Sequence, residues 1–329
     1  MDKKRWFALL GAAVLFVVSI ISQFGASVAA TDWDELLNLN EFKEKEIEAG
    51  FGGNKIVVAT LEGVIQDVEE NPLITAGINN YKRFLKVLDN AAEDNTVDGI
   101  IIDVNSPGGG VVESAEIHDK VVEIQEEYNK PVYVSMGNTA ASGGYYIAAP
   151  AEKIVAHPAT LTGSIGVIMQ SINFTDLADE YGVDFNTIKS GKHKDIMSAS
   201  RKMTDEERDI LQSMIDEMYD EFVQVIVDGR DMSESEVRRL GDGRVYTGKQ
   251  AQENGLVDEL GSLKDTIAMM EEDNGWEDSR VVEYKAGFNF NSLAGVSVKK
   301  VLGKDFDLLH IQDMIRESNA PRAMYLYSE

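Results

Sequence analysis

Residues 99–110 read GIIIDVNSPGGG and join a short apolar run to a turn with three consecutive glycines. The run over 99–104 predicts a buried strand, because β-branched residues dominate it. The stretch over 111–128 follows the turn and predicts an amphipathic helix. A strand, a tight turn and a helix in this order are typical of a layered α/β fold.

The same alternation of β-branched runs and amphipathic stretches continues on both sides of this segment. We predict further strands at 56–61, 131–136, 153–156 and 183–188, and helices at 78–88 and 174–181. Thr204 and Glu207 form a capping box, which predicts the start of a long helix. The residues of that helix expected to face inward are Ile210, Leu211, Met214, Ile215, Met218, Phe222 and Val225.

The N-terminal segment differs from the rest of the chain. Residues 6–30 carry no charge and follow three basic residues at 3–5. At about 1.5 Å per residue they span a hydrocarbon core of roughly 30 Å, so they predict a transmembrane anchor. The basic flank should stay in the cytoplasm, which makes 1–5 a cytoplasmic stub and places the remainder outside the cell membrane. A cleaved signal peptide with small residues at 27–29 is the alternative.

The remaining chain divides by composition. Residues 31–54 are polar and charged, and we interpret them as a tether with one helix over 34–48. No Pro- or Ser-rich linker interrupts 55–290, which predicts a single domain. The pattern weakens over 291–329, a C-terminal tail with a helix expected over 298–315 and an extended end.

The composition excludes several classes of protein. The chain has 31 Lys and Arg against 57 Asp and Glu, a net charge of −26, and no cysteine. Such an acidic chain is unsuited to neutralising phosphates, so we expect no nucleic-acid partner. Disulfides, thiol nucleophiles and cysteine metal sites are impossible. Residues 1–30 hold three basic residues and one acidic residue, so the exported part carries −28, which we interpret first as a solvated acidic surface.

Two glycine-containing turns are candidates for chemistry. The turn NSPGGG at 105–110 lets backbone N–H groups converge beside a helix N-terminus, which is the geometry of an oxyanion hole. It could equally be an ordinary turn or a phosphate cradle, although the Gly-Lys-Ser/Thr of a P-loop is missing. The segment AASGGYYIA at 140–148 places Ser142 at a second strand-to-helix turn, where a nucleophile would be stabilised. A serine that only caps the helix is the alternative.

A nucleophilic serine needs a base, and neither histidine nor lysine is singled out by the residues alone. The four histidines at 118, 157, 193 and 310 have no recognisable triad context. Lysine serves as the base in Ser-Lys variants of the triad. The segment IKSGKHKD at 188–195 holds three lysines, at 189, 192 and 194, although a solvated basic loop would have the same composition.

Four blocks in fixed order resemble the signal peptide peptidase family, SppA or protease IV, over residues 55–290. They are NSPGGG at 105–110, ASGGYYIA at 141–148, TGSIGV at 162–167, and GRVYTG at 243–248 with GLVDELG at 255–261. The resemblance implies an α/β fold of the ClpP/crotonase type with an N-terminal transmembrane helix. It also implies a membrane-anchored serine endopeptidase of the short, single-domain form, with a Ser-Lys dyad and no cofactor or metal.

The resemblance assigns roles residue by residue. Ser142 matches the nucleophile and Lys194 the general base. Gly109 matches the oxyanion-hole glycine, and we expect the Gly143 N–H to be a second donor. Ser164 resembles a serine that hydrogen-bonds near the lysine amine.

Lys194 must lose its proton to act as a base, and Lys192 is its competitor for the role. A lysine with an ordinary pKa of about 10.4 is almost always protonated at neutral pH. Lowering that pKa requires removal from water. We therefore expect Lys194 to enter an apolar pocket closed by substrate or by a neighbouring chain.

The resemblance also implies the partners. Substrates are residual signal peptides and other apolar peptides at the membrane, and the enzyme is expected to be a homo-oligomer. The apolar segment 324–327 is expected to dock in a substrate groove as a self-inhibitory or self-cleaved segment, or else to be a frayed terminus. A crotonase-like acyl-CoA enzyme and a non-catalytic membrane scaffold are the alternative functions.

Overall fold

The computed structural model describes residues 42–67, 78–286 and 323–327. By its internal contacts the chain divides into two units, 1–43 with 285–305 and 44–284 with 306–329. Nearly all described residues belong to the second unit, and the following description concerns that unit.

The expected anchor at 6–30 and the expected helix at 298–315 lie outside the described residues. Within the part of the chain that is described, every helix is too short or too polar to cross a membrane.

The described residues form thirteen strands and eight helices. The strands are β1 (Phe42–Glu48), β2 (Lys55–Glu62), β3 (Val64–Gln66), β4 (Ile78–Asn80), β5 (Gly99–Ser106), β6 (Gly108–Gly110), β7 (Val132–Ala141), β8 (Lys153–Ala156), β9 (Leu161–Gly163), β10 (Val245–Thr247), β11 (Glu259–Leu260), β12 (Arg280–Ala286) and β13 (Met324–Leu326). The helices are α1 (Tyr81–Glu93), α2 (Val111–Glu127), α3 (Gly143–Ala148), α4 (Thr175–Glu180), α5 (Asp205–Arg230), α6 (Glu234–Leu240), α7 (Gly248–Glu253) and α8 (Leu263–Asn274).

The larger sheet has the order β1-β12-β2-β5-β7-β8-β11, and its pairs from β12 to β11 are parallel. The predicted strand at 99–104 is confirmed as its centre, β5, where Ile100, Ile101 and Ile102 are fully buried. Helix α8 packs on one face through Ile267 and Met270. Each isoleucine buried in this way contributes about 1.5–3 kcal/mol, so this apolar run holds the sheet together.

A second, smaller sheet has the order β13-β6-β3-β4 and is built around the glycine turn. Strand β6 pairs parallel with β3 at Ile65 and antiparallel with β13. A Cβ on Gly109 would collide with the backbone of Ile65, so this close approach requires glycine. The glycine turn therefore forms a strand of its own that has a partner on each side.

Four expectations about local structure are wrong. The helix predicted over 78–88 begins only at Tyr81, since Ile78–Asn80 form strand β4. Residues 42–48 form strand β1 rather than the end of a helix, because they pair with β12 at the edge of the larger sheet, where Glu44 also forms ion pairs with Arg280 of β12 and Lys55 of β2. Residues 183–188 form no strand, and their side chains are exposed.

The capping box and the long helix are confirmed in α5, but of its expected apolar stripe only Phe222 is buried, together with Val223 and Ile226, which the stripe did not include. Ile210 and Met214, in the N-terminal half, are exposed.

Candidate active site

Ser142 lies where β7 ends and α3 begins, in a strained conformation. Its φ of 54° and ψ of −117° fall outside the usual regions for a residue with a side chain. Its N–H donates to the carbonyl of Gly163 at 2.8 Å, and its own carbonyl accepts from Tyr145 and Tyr146. Strain of this kind concentrates at functional sites, and a serine on a sharp strand-to-helix turn is the arrangement of a nucleophile elbow.

The Ser142 side chain does not cap α3. The residue is 1% exposed, and its hydroxyl makes no capping hydrogen bond to the helix backbone. In a capping serine, the hydroxyl oxygen accepts a hydrogen bond from the N–H of the second or third helical residue. The geometry therefore argues against the alternative of a purely structural serine.

Backbone nitrogens of two glycines lie close to this turn. A Cβ added to Gly143 would lie 3.1 Å from the nitrogen of Gly109 and 2.6 Å from the Ser114 hydroxyl. A Cβ on Gly108 would lie 2.6 Å from the Gly143 nitrogen. The nitrogens of Gly109 and Gly143 thus border one small space that has no room for a side chain, and two such donors can stabilise an oxyanion.

Ser164 is brought to the same turn. It is nearly buried, has a φ of 50°, and follows Gly163, whose carbonyl binds the Ser142 N–H. The Ser164 N–H donates to the carbonyl of Arg244 at 2.8 Å, and strands β9 and β10 pair at this point. Blocks that are far apart in the sequence therefore converge around Ser142.

Lys194 makes no hydrogen bond or ion pair to Ser142 in the part of the chain that the structure describes. Its side chain is exposed on an irregular loop, and its ammonium has no hydrogen-bond partner among the described residues. The neighbouring lysines are engaged, because Lys189 binds Asp195 at 2.6 Å and Lys192 binds Glu206. Of the three lysines, Lys194 is therefore the one whose ammonium forms no ion pair with a carboxylate of this loop or of α5.

The C-terminal strand lies against the glycine strand. Tyr325 faces Gly109 in the antiparallel register, and Met324 exchanges two backbone hydrogen bonds with Ile168 on the other side, at 3.0 and 3.1 Å. A Cβ on Gly108 would collide with the Tyr325 carbonyl oxygen. This carbonyl therefore lies beside the space bordered by the Gly109 and Gly143 nitrogens, and residues 324–326 form an ordered strand rather than a frayed terminus.

The Tyr325 side chain fills an aromatic pocket that the sequence did not indicate. It is fully buried, stacks on Tyr146 at 4.9 Å and lies 4.7 Å from the Phe222 ring. Its hydroxyl donates to the Met218 carbonyl at 3.0 Å, and burial raises its pKa. Tyr146 follows Ser142 on α3, but Phe222 comes from α5, so no local pattern could have joined the two.

None of the described histidines hydrogen-bonds to Ser142. His118 packs edge-on against Tyr146, His157 accepts the N–H of Ala159, and His193 faces two glutamates. His310 lies outside the described residues. Among the side chains that the structure describes, no group of three could hold a metal ion.

A strained, buried serine beside paired backbone donors defines a serine hydrolase of the acyl-transfer type. Residues 124–277 match the model of Peptidase family S49. The chain is 38% identical to an Enterococcus faecium protein provisionally named signal peptide peptidase SppA, over 99% of both chains. It is 32% identical to Protease 4 of Haemophilus influenzae over 83% of this chain and 46% of that protein. The chain belongs to peptidase family S49, and it is a serine peptidase rather than an acyl-CoA enzyme.

Proposed function

We propose that this chain is a membrane-anchored endopeptidase that uses a Ser142–Lys194 dyad to degrade residual signal peptides. One observation carries the proposal: an apolar peptide strand, the chain's own β13, pairs antiparallel with the glycine strand beside Ser142. Adding a strand to an exposed sheet edge is a common way to bind extended peptides. A signal peptide has the apolar composition that such a groove accepts.

The reaction follows from the positions of the backbone donors. The Ser142 hydroxyl oxygen attacks the peptide carbonyl while Lys194 takes its proton, and Lys194 later returns a proton to the leaving amine. The N–H groups of Gly109 and Gly143 donate to the oxyanion. Water then hydrolyses the acyl-enzyme, with the lysine acting again as base, and regenerates Ser142.

Lys194 must be removed from water for this chemistry, and we propose that a second copy of the chain closes the site. The segment from 168 to 188 supports this view because it exposes many large apolar residues. They are Ile168, Ile172, Phe174, Leu177, Tyr181, Val183, Phe185 and Ile188. An exposed apolar surface of this extent is typical of an interaction site. A homo-oligomer would cover it and shield Lys194 from solvent at the same time.

The C-terminal strand is proposed to be a self-inhibitory or self-cleaved segment. It occupies the edge of β6 that an extended substrate would use, and Tyr325 places its carbonyl beside the oxyanion donors. A substrate has to displace it before Ser142 can react. The anchor at 6–30 would keep this groove near the membrane, where residual signal peptides lie.

The test uses the full chain in detergent micelles and a synthetic signal peptide that carries a fluorophore and a quencher. We expect Ser142→Ala to lose at least about 1,000-fold in kcat/KM, because the nucleophile is absent. Ser213→Ala, which removes an exposed hydroxyl on α5, is the matched control. Turnover of the signal peptide by Ser142→Ala at the wild-type rate would refute the assignment.

A further inference from the structure

The loop that carries Lys194 ends at an arginine for which the dyad mechanism has no role. We define the base loop as residues 189–201 and its last residue is Arg201. The Arg201 guanidinium binds two carboxylates at once. Its Nε and Nη2 donate to Asp195 at 2.8 and 2.7 Å, and its Nη1 and Nη2 donate to Glu207 at 2.8 and 2.5 Å.

The first carboxylate belongs to the residue next to Lys194. Asp195 accepts hydrogen bonds from Arg201 on both oxygens and from Lys189 on one of them. These cations, Arg201 foremost, hold the pKa of Asp195 well below its usual range. Arg201 Nη2 also binds the Asp195 backbone carbonyl at 3.1 Å, so the main chain directly after Lys194 is held as well.

The second carboxylate belongs to the start of α5. The Glu207 side chain is 2% exposed and completes the capping box with Thr204. Its hydrogen bonds to Arg201 and Thr204 lower its pKa to about 2. Glu207 is therefore a fixed, charged point at the N-terminus of a helix of 26 residues.

Helix α5 also contacts the element that begins at the nucleophile. Phe222 of α5 packs against Tyr146 of α3 with their rings 5.0 Å apart. A continuous set of contacts thus runs from Ser142 through α3 and α5 to Glu207, Arg201 and Asp195. Arg201 is the residue in this set that joins the base loop to the folded core.

We propose that Arg201 is a positioning residue for the general base, because its fork fixes the main chain beside Lys194 to the N-terminus of α5. The inference rests on the proposed role of Lys194. Arginine is required because its planar guanidinium can bind two carboxylates in a bidentate manner, whereas a lysine is a point charge. Charge-assisted bonds of this kind are about twice as strong as neutral ones.

Removal of Arg201 should also change the charge around Lys194. As an ion-pair partner Asp195 would keep Lys189 alone. Glu207 would keep its hydrogen bond from the Thr204 N–H and the imidazole of His193 at 3.7 Å, which is a cation only when protonated, since Lys192 is engaged with Glu206. The negative charge near Lys194 would then be less compensated, which favours the protonated amine. The rising limb of the pH dependence of kcat/KM should therefore move to higher pH.

The experiment compares kcat, KM and the pH dependence of kcat/KM for the full chain, Arg201→Ala and Arg201→Lys, using the quenched signal peptide. We expect Arg201→Ala to lower kcat by about 100-fold, which is the scale of a small misplacement, with KM changed less than about twofold. The rising limb of the kcat/KM profile of Arg201→Ala should move to higher pH. Arg201→Lys keeps the positive charge but not the bidentate guanidinium. The rising limb of its kcat/KM profile should therefore stay at the wild-type pH, and its kcat should fall less than that of Arg201→Ala.

Arg238→Ala is the matched control, because Arg238 of α6 also binds two carboxylates, Asp220 of α5 and Glu234 of α6, but lies outside the base loop. It should leave kcat and the limb unchanged. Thermal unfolding shows whether Arg201→Ala folds. If it does not fold, the kcat of Arg201→Lys decides the question: a lowered kcat supports the positioning role and an unchanged kcat overturns it. An unchanged kcat and limb in the folded Arg201 variants would overturn the positioning role, provided that Lys194→Ala is inactive. An active Lys194→Ala would instead overturn the dyad itself.

Discussion

The turn at Ser142 is buried and strained, whereas the loop at Lys194 is exposed and held by ion pairs. Ser142 is fixed by its backbone hydrogen bond to Gly163 of β9 and by two more from the following helix, and glycines leave space beside it. Lys194 has no partner for its ammonium among the described residues. The difference teaches that the chain builds the nucleophile and the oxyanion donors into its core, while the base still has to be enclosed. We call the Ser142 turn with its Gly109 and Gly143 donors the preformed side of the site, and the base loop with Lys194 the base side.

Among changes that leave both Ser142 and Lys194 in place, the largest effect is expected on the preformed side. Gly143→Ala would place a Cβ 2.6 Å from the Ser114 hydroxyl and 3.1 Å from the Gly109 nitrogen. The oxyanion donors must then separate, and loss of one such donor costs about 100- to 1,000-fold in kcat. Gly53→Ala, where an added Cβ meets nothing within 4 Å, is the control. Wild-type kcat in Gly143→Ala would show that this nitrogen takes no part in the reaction.

A smaller effect is expected from removing the strand that covers the preformed side. A chain that ends at Ser318 lacks β13 and its buried tyrosine. Burial of one aromatic side chain is worth at least about 1.4 kcal/mol, so kcat/KM on the signal peptide should rise by about tenfold or more. A synthetic peptide of residues 319–329 should inhibit the shortened enzyme competitively. Equal activity of both chains together with no inhibition would remove the self-inhibitory role.

The smallest effect concerns the ion pairs on the base side. The folded-state pKa of Glu207 is about 2, below its ordinary value of 4.5. The folded protein therefore binds fewer protons than the unfolded chain, so the stabilisation is present above pH 4.5 and is lost as the pH falls toward 2. We expect Glu207→Gln to flatten the fall of the unfolding temperature over this range.

The measurement is thermal unfolding by circular dichroism from pH 6 to pH 2. Glu236→Gln, a change at a more exposed glutamate of α6, should follow the wild-type curve. Parallel curves for wild type and Glu207→Gln would show that the Arg201–Glu207 pair contributes no acid sensitivity.

Sequence patterns predicted the parts of the fold that local chemistry determines. The central strand β5 follows from its run of isoleucines, and the start of α5 follows from the capping box. The turn at Ser142 could be proposed because serine and glycine stand together at a strand-to-helix junction. In each case the residues that decide the structure are neighbours in the sequence.

Features that depend on distant residues could not be predicted in the same way. The charged segment 42–48 forms a strand because it pairs with β12, not because of its own composition. The stripe on α5 has helical spacing along its whole length, but spacing does not distinguish a buried face from an exposed one. The pocket for Tyr325 combines α3, α5 and the C-terminal strand, and no sequence signal links Phe222 to that tyrosine.

The most direct test of the dyad is the rate of Lys194→Ala beside that of Lys192→Ala, on the quenched signal peptide at alkaline pH. The contrast between the two sides of the site predicts that Lys194→Ala loses at least about 1,000-fold in kcat/KM, since Ser142 then has no base. Lys192, which is paired with Glu206, should be dispensable within a few-fold. Wild-type activity in Lys194→Ala, or the reverse order of the two variants, would contradict the account.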